Sequence, residues 1–279
     1  MRSKSVLDTP RLREMRKKRR NTVWRKLAMI AVLFLAIFVL LGFAARLKDV
    51  NIQTVSVTGN KLIDAKELED FTWEILGGHF FWLYPKSNIM IYPDLELKNR
   101  IQERFKRIEN IEIFSNADLT LSIKIKERGA KYVWCDEYIK CYFTDEYGYI
   151  FDEAPYFSGP VYLKFQGGVN LDKTPVGQIV AGPDFEKLTS FTETMKTFGL
   201  EATMVNLSKE NETEIYLISA DETIAPKIVL NRKNDLTRVI ENLQTAVQSE
   251  PLKTEIADNY KSLLYIDLRF DNKVYYKFK

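Results

Sequence analysis

Nineteen consecutive residues, Leu27 to Ala45, are apolar and uncharged, and a stretch of that length constrains everything around it. As a helix it rises about 1.5 Å per residue, roughly 28 Å in all, close to the hydrocarbon thickness of a bilayer. Arg25 and Lys26 bound it on one side and Arg46 on the other. The run also divides the charge of the 279-residue chain. The 26 residues before it hold 11 Lys/Arg against Asp8 and Glu14, a net of +9, while the 234 residues from Arg46 onward carry a net of −6. The overall charge of +3 therefore hides a basic tail and a large acidic region.

Three readings of the run compete. Gly42-Phe-Ala44 offers the small-x-small site of a cleaved secretory signal, but signal cores are shorter and do not follow a long basic stretch. A buried core helix would keep a polar face over five turns. The uncleaved anchor suits the residues best, with a basic tail (1–26) held in the cytoplasm, a span at 27–46 and the remainder outside. The Arg16-Lys-Lys-Arg-Arg20 cluster is expected to set topology and to attract anionic lipid rather than nucleic acid. Such a tail is too short and too charged to fold alone.

The exported part is long enough for one large or two small domains. Val50 to Val57 reads as a strand broken at Thr58-Gly59-Asn60, and Asp64 caps a helix carrying Leu68, Phe71, Ile75 and Leu76 that stops at Gly77-Gly78. Tyr92-Pro93-Asp94 opens a second helix with Leu95, Leu97, Ile101 and Phe105. A strand over Ile108 to Phe114 and the strictly alternating Leu119-Thr-Leu-Ser-Ile-Lys-Ile125 complete a β-α-α-β-β order, an α+β module at 50–128. From 129 to 279 short strands dominate: Lys131–Cys135, Cys141–Thr144, Tyr149–Phe151, Val161–Phe165, Ala202–Leu207, Glu214–Ser219 and Lys227–Leu230. Two helices interrupt them, one from Pro183 to Gly199 and one over Asp235 to Ser249. A final hairpin joins Leu263–Phe270 to Lys273–Phe278 through Asp271-Asn272.

Cys135 and Cys141 flank a five-residue loop between strand-like segments. A disulfide and two separate buried thiols are equally open, and two cysteines with no histidine nearby do not fill a metal shell. His79 is the only histidine, which excludes two-His zinc motifs, and no phosphate-binding or nucleophile-elbow motif is present. No cofactor is expected. The acidic pairs Asp136/Glu137, Asp145/Glu146 and Asp152/Glu153 fall in turns, where solvated carboxylates are ordinary. A carboxylate-based, membrane-anchored wall hydrolase is nonetheless the alternative to a binding protein.

The residues Val55-Ser-Val-Thr-Gly-Asn60, the alternating strand before Glu127-Arg128, Asp145-Glu-Tyr-Gly148 with Phe151, and Ile266-Asp-Leu-Arg-Phe270 resemble, in order and spacing, the FtsQ/DivIB family of bacterial division proteins. Gly129-Ala130 stands where members often carry proline, and Gly77-Gly78-His79-Phe80 replaces their Gly-x-Asn-Phe-like stretch. The resemblance implies a POTRA domain followed by a β-rich domain. It also implies a non-catalytic scaffold that holds the single-span proteins FtsL and FtsB/DivIC, and through them the septal synthase FtsW/FtsI, at the division septum. A POTRA-bearing chaperone would instead be expected to repeat the module.

In the family the last strand pairs with a strand of FtsB, and the aromatic closing the D-L-R motif contributes, which places Arg269 and Phe270 at an interface. Beyond Asn272 the expectation rests on the strand itself. Leu264, Ile266, Leu268 and Phe270 alternate onto one face, and Val274, Tyr276 and Phe278 alternate with Lys273, Tyr275 and Lys277. An open sheet edge there would accept an extended partner across Lys273, Val274, Tyr275, Tyr276 and Lys277. The competing reading is that the lysines protect the edge from pairing.

Overall fold

A computed structural model describes residues 10–137, 140–157, 159–219, 225–270 and 273–279. The protein is α+β and divides into two compact units, Met1–Arg104 with Asn110–Lys126, and Phe105–Glu109 with Glu127–Lys279.

The first unit begins with one long helix, α1 (Pro10–Ala44). The 30 residues Met15–Ala44 are long and apolar enough to cross a membrane. The side chains from Leu27 to Phe43 face outward almost all the way round, with Gly42 the exception, so the protein itself does not cover this helix. The helix extends backward into the basic tail, which was expected to be unstructured. Arg, Lys, Leu and Met are good helix formers, and a preformed span removes the nucleation cost.

The rest of this unit is β1 (Thr54–Thr58), α2 (Ala65–Leu76), β2 (His79–Phe80), β3 (Tyr84–Pro85), α3 (Asp94–Arg104), β4 (Ile108–Ser115) and β5 (Thr120–Glu127). The sheet order is β1-β5-β4, with β1 parallel to β5, and β2 and β3 form a separate small hairpin. Asp64 caps α2 by accepting a 2.8 Å bond from the Lys66 N–H. Alternation in β4 and β5 sends Ile111, Ile113, Leu121, Ile123 and Ile125 inward, where α2 and α3 contribute Leu68, Ile75, Leu97 and Ile101. Gly59 has φ +84°, and a Cβ there would collide with the Ile125 carbonyl, which explains the turn after β1. The β2–β3 hairpin was not anticipated: two-residue strands leave too little alternation to read.

The second unit is built on β6 (Tyr132–Cys135), β7 (Cys141–Thr144), β8 (Ile150–Ala154), β9 (Lys164–Gly167), β10 (Ala202–Leu207), β11 (Glu212–Leu217), β12 (Lys227–Asn231), β13 (Leu263–Phe270) and β14 (Lys273–Phe278). Together they form one mixed sheet in the order β14-β13-β12-β11-β10-β9-β6-β7-β8. The helices α4 (Phe185–Thr197), α5 (Leu236–Gln248) and α6 (Leu252–Asn259) complete the unit. Phe185, Leu188, Phe191 and Met195 of α4 and Val239, Leu243 and Val247 of α5 share a core with Trp134, Phe165, Val205, Ile215, Ile228 and Ile266. The opposite face is mixed: Phe143, Phe151, Phe157 and Tyr162 form an aromatic cluster near the β8 end. The third helix, α6, was missed because Ser249-Glu-Pro251 reads as a stop, whereas Pro251 stands at its N-terminus.

Two of the sequence pieces singled out above, Glu127-Arg128 and Asp145-Glu-Tyr-Gly148, meet in this unit. Asp145 was expected to be solvated, but it is buried, a correction to the view of all three acidic pairs as free surface carboxylates. Its Oδ1 accepts the N–H groups of Tyr147 and Tyr149, both at 2.9 Å, and its Oδ2 accepts Arg128 Nη1 at 2.6 Å. The Arg128 guanidinium also lies 4.2 Å from the centre of the Tyr149 ring. Gly148, at φ +84°, closes the turn where a Cβ would fall 2.7 Å from the Phe185 ring. Glu127-Arg128 and Asp145-Glu-Tyr-Gly148 are therefore two halves of one buried turn.

Cys135 and Cys141 are cross-strand partners in the β6–β7 ladder, 4.1 Å apart at Cα, and are joined as a disulfide. Asp136 accepts the Lys140 N–H at 2.8 Å, Asp152 pairs with Arg107, and Glu153 pairs with Lys140 at 3.0 Å. Residues 138 and 139 of the loop lie outside the described residues.

Candidate partner-binding edge

The last two strands carry every residue expected at an interface, and the structure sorts them by face. Their register runs Leu263↔Phe278, Tyr265↔Lys277, Ile266↔Tyr276, Asp267↔Tyr275 and Phe270↔Lys273, with irregularities between Leu263 and Tyr265 and between Asp267 and Phe270. Directly opposed residues in an antiparallel ladder point the same way. Each extra residue in β13 therefore reverses the alternation beyond it.

The first irregularity sends Leu263 rather than Leu264 into the core, where it is fully buried. The second has a local chemical cause. The Arg269 N–H donates to Asp267 Oδ1 at 3.0 Å, and the Arg269 carbonyl accepts Asn234 Nδ2 at 3.2 Å. Both main-chain groups of Arg269 are thus satisfied outside the ladder, which permits the bulge. As a result Phe270 leaves the face of Ile266 and Leu268, where simple alternation placed it, and joins that of Tyr275. Their rings meet edge to face with centroids 5.3 Å apart, and both remain about half exposed.

The seven expected interface residues consequently fall into three groups. Val274 and Tyr276 turn inward and pack against the core of the second unit. Lys273, Tyr275 and Lys277 turn outward on the strand, and Phe270 joins them through the bulge. Arg269 is engaged by its own protein. Its Nη2 and Nε hold Asp267 at 2.6 and 2.9 Å, and its Nη1 holds Glu212 at 3.0 Å. That leaves Arg269 as a residue that shapes and fixes the hairpin. Asp271 and Asn272 lie outside the described residues.

The outer face beside this edge is knitted by a charge network that sequence reasoning missed. Lys209 donates to Glu212 at 2.7 Å and to Glu214 at 3.0 Å, Lys227 donates to Glu214 at 2.8 Å, and the Tyr216 hydroxyl donates to Glu214 at 2.9 Å. Burial pushes the Glu214 carboxyl upward, but the three donors outweigh it and hold its pKa at about 2. The Lys209 ammonium likewise lowers Glu212. Burial opposes ionisation of Asp267, and the bonds from Arg269 overcome it, so its pKa also falls below the usual value. A usable signal was present: Glu212, Glu214 and Tyr216 alternate on one face of β11, with Lys227 of β12 directly opposite Tyr216 and diagonal to Glu214.

Chemically this edge offers backbone donors and acceptors, two aromatic rings and two ammonium groups. Among the described residues it shows no pair of facing carboxylates across a cleft and no nucleophile beside a base.

Neither a scan against protein-family models nor a search of curated proteins gives a match to this chain. Fold and site together define an α+β protein with, among the described residues, one helix long and apolar enough to span a membrane and a large mixed sheet ending in an aromatic edge.

Proposed function

We propose that this protein is a membrane-anchored, non-catalytic scaffold of the bacterial division machinery, of the FtsQ/DivIB type. Its basic tail lies in the cytoplasm, α1 is a single span, the first unit contains a POTRA-like module, and the second unit is the partner-binding domain outside the membrane. The partners are extended segments of single-span division proteins like FtsL and FtsB/DivIC. By gathering them at the septum the protein helps recruit and regulate the FtsW/FtsI synthase.

The observation that carries this reading is the free long edge of β14, flanked by exposed Phe270 and Tyr275. An added strand gains main-chain bonds along the edge and packs its alternate side chains on the two rings. Lys273 and Lys277 favour a partner strand bearing acidic residues. Asp145, one of the carboxylates the hydrolase alternative would draw on, is held by Arg128 and by two backbone N–H groups. No specific observation favours that alternative.

The test is co-purification of the full-length protein from its native membrane. Wild type should recover small single-span proteins, and Phe270→Ala with Tyr275→Ala should lose at least tenfold of them, as removal of two hot-spot rings implies. Equal recovery from the double variant would overturn the assignment of the interface.

A further inference from the structure

The β2–β3 hairpin of the first unit lies against α1 and carries an exposed pair of aromatic rings. Phe81 and Trp82 form its tip and are 80% and 93% exposed. Both have positive φ, 49° and 58°, in the left-handed region that residues with a Cβ occupy at a cost. A strained turn that thrusts two large rings away from its own protein gains nothing from water.

The hairpin is fastened to the end of α1. The Tyr84 hydroxyl donates to the Phe38 carbonyl at 2.7 Å, and the Phe38 ring meets those of Tyr84 and Phe81 at centroid distances of 5.0 and 6.4 Å. Arg46 donates to the carbonyls of Leu83 at 3.1 Å and Trp82 at 3.3 Å. Leu83 sits over Gly42, where any Cβ would collide with it. The end of the helix is held as well: Asn51 and Asn88 both donate to the Ala45 carbonyl, at 2.8 and 3.2 Å.

These contacts fix depth. Phe38 precedes Arg46, the charge that closes the apolar run, by eight residues, about 12 Å along a helix axis. A ring that touches Phe38 therefore lies well inside the zone that the span assigns to lipid. Tryptophan and other aromatics are favoured at that boundary, where an apolar body and a polar edge are both accommodated.

We propose that Phe81 and Trp82 insert into the bilayer leaflet at the C-terminal end of α1, so that the module beginning at β1 is held at the membrane by two adjacent points rather than by a flexible tether. The occupant of the space around these rings is lipid, argued from their continuity with the span through Phe38, Gly42 and Arg46. The inference rests on α1 crossing a membrane and not on the identity of any protein partner.

The experiment uses full-length protein with Trp24→Phe, reconstituted in phosphatidylcholine–phosphatidylglycerol vesicles whose phosphatidylcholine carries bromine on shallow or deep acyl carbons. Bromolipid should quench a component of the tryptophan emission, and adding Trp82→Phe should abolish that component. Gly42→Leu, which displaces Leu83, should weaken the quenching while the protein still floats with the vesicles. Quenching unchanged by Trp82→Phe, or a Trp82 component reached by aqueous iodide and not by bromolipid, would overturn the proposal. Failure of the wild-type protein to float with the vesicles would overturn it together with the anchor.

Discussion

At one edge of the nine-stranded sheet β8 is met by its own chain. The Gly177 N–H donates to the Ile150 carbonyl at 2.8 Å, the Ile150 N–H donates to the Gln178 carbonyl at 2.9 Å, and Val180 N–H reaches the Gly148 carbonyl at 2.9 Å. The buried Arg128–Asp145 pair and the Arg107–Asp152 pair pin the turn and strand behind that strap. At the other edge β14 has β13 on one side, and among the described residues its backbone bonds run to that side alone. Long open edges invite uncontrolled pairing, and this strap caps the start of β8 at Ile150. The difference gives the β8 end structural chemistry and supports the proposal that the β14 end takes an outside strand.

The sharpest way to break this comparison is to unpin the covered edge. Arg128→Ala removes the partner of a carboxylate whose side chain is only 6% exposed, along with the stacking on Tyr149. An uncompensated buried charge costs about 3–5 kcal/mol. Denaturant unfolding should show a loss of that size, and Asp145→Asn in the same chain should recover part of it. If Arg128→Ala unfolds at the wild-type midpoint, the turn is not what secures this end of the sheet.

Next in size is the charge network beside the open edge, where pH is the probe. The native pKa of Glu214 is about 2, below its ordinary value of 4.5, so ionisation of this carboxyl favours the folded state. That contribution is fully present above the ordinary value and disappears as pH falls through the native one; Glu212 and Asp267, also lowered, add in the same direction. With allowance for solvent around its lysine partners, Glu214 contributes on the order of 2 kcal/mol. Stability measured by urea titration should fall between pH 5 and about 2, and Glu214→Gln should flatten that slope while lowering stability at neutral pH. A parallel pH profile in the variant would remove Glu214 from the account.

The residues that sequence reasoning placed correctly and those it misplaced differ in a physical way. Helices α2, α4 and α5 and the strand β5 have regular periodicity, with one face set by burial, and a periodic pattern is visible along the chain. Phe270 was assigned to the wrong face because a bulge reverses alternation without altering composition. Its cause, the Arg269 main chain held by Asp267 and Asn234, includes a contact across 35 residues. Asp145 looked like an ordinary turn acid because its partner Arg128 is 17 residues away. The β2–β3 hairpin carries aromatic residues with no period. Each miss involves a side chain whose environment is made by a distant segment, and the candidate interface turns on one of them, Phe270.

The smallest expected effect on the fold separates the two meanings of an edge rich in lysine. Lys273 and Lys277 face outward on β14, and among the described residues no ion pair is recorded for either. Replacing both by glutamate should change folding stability by no more than about 0.5 kcal/mol, as for surface sites away from packed contacts. If the lysines serve only to keep strands away, two carboxylates serve equally well. Self-association measured by sedimentation would then stay low, and the recovery of membrane partners would not change. If the lysines instead favour a partner strand with acidic residues, Lys273→Glu with Lys277→Glu should keep the protein monomeric and folded while partner recovery drops, more steeply at low salt than at high. Loss of partners without loss of fold would place the function of β14 in its outward side chains, whereas an unchanged recovery would return those lysines to edge protection and leave Phe270 and Tyr275 as the whole of the recognition surface.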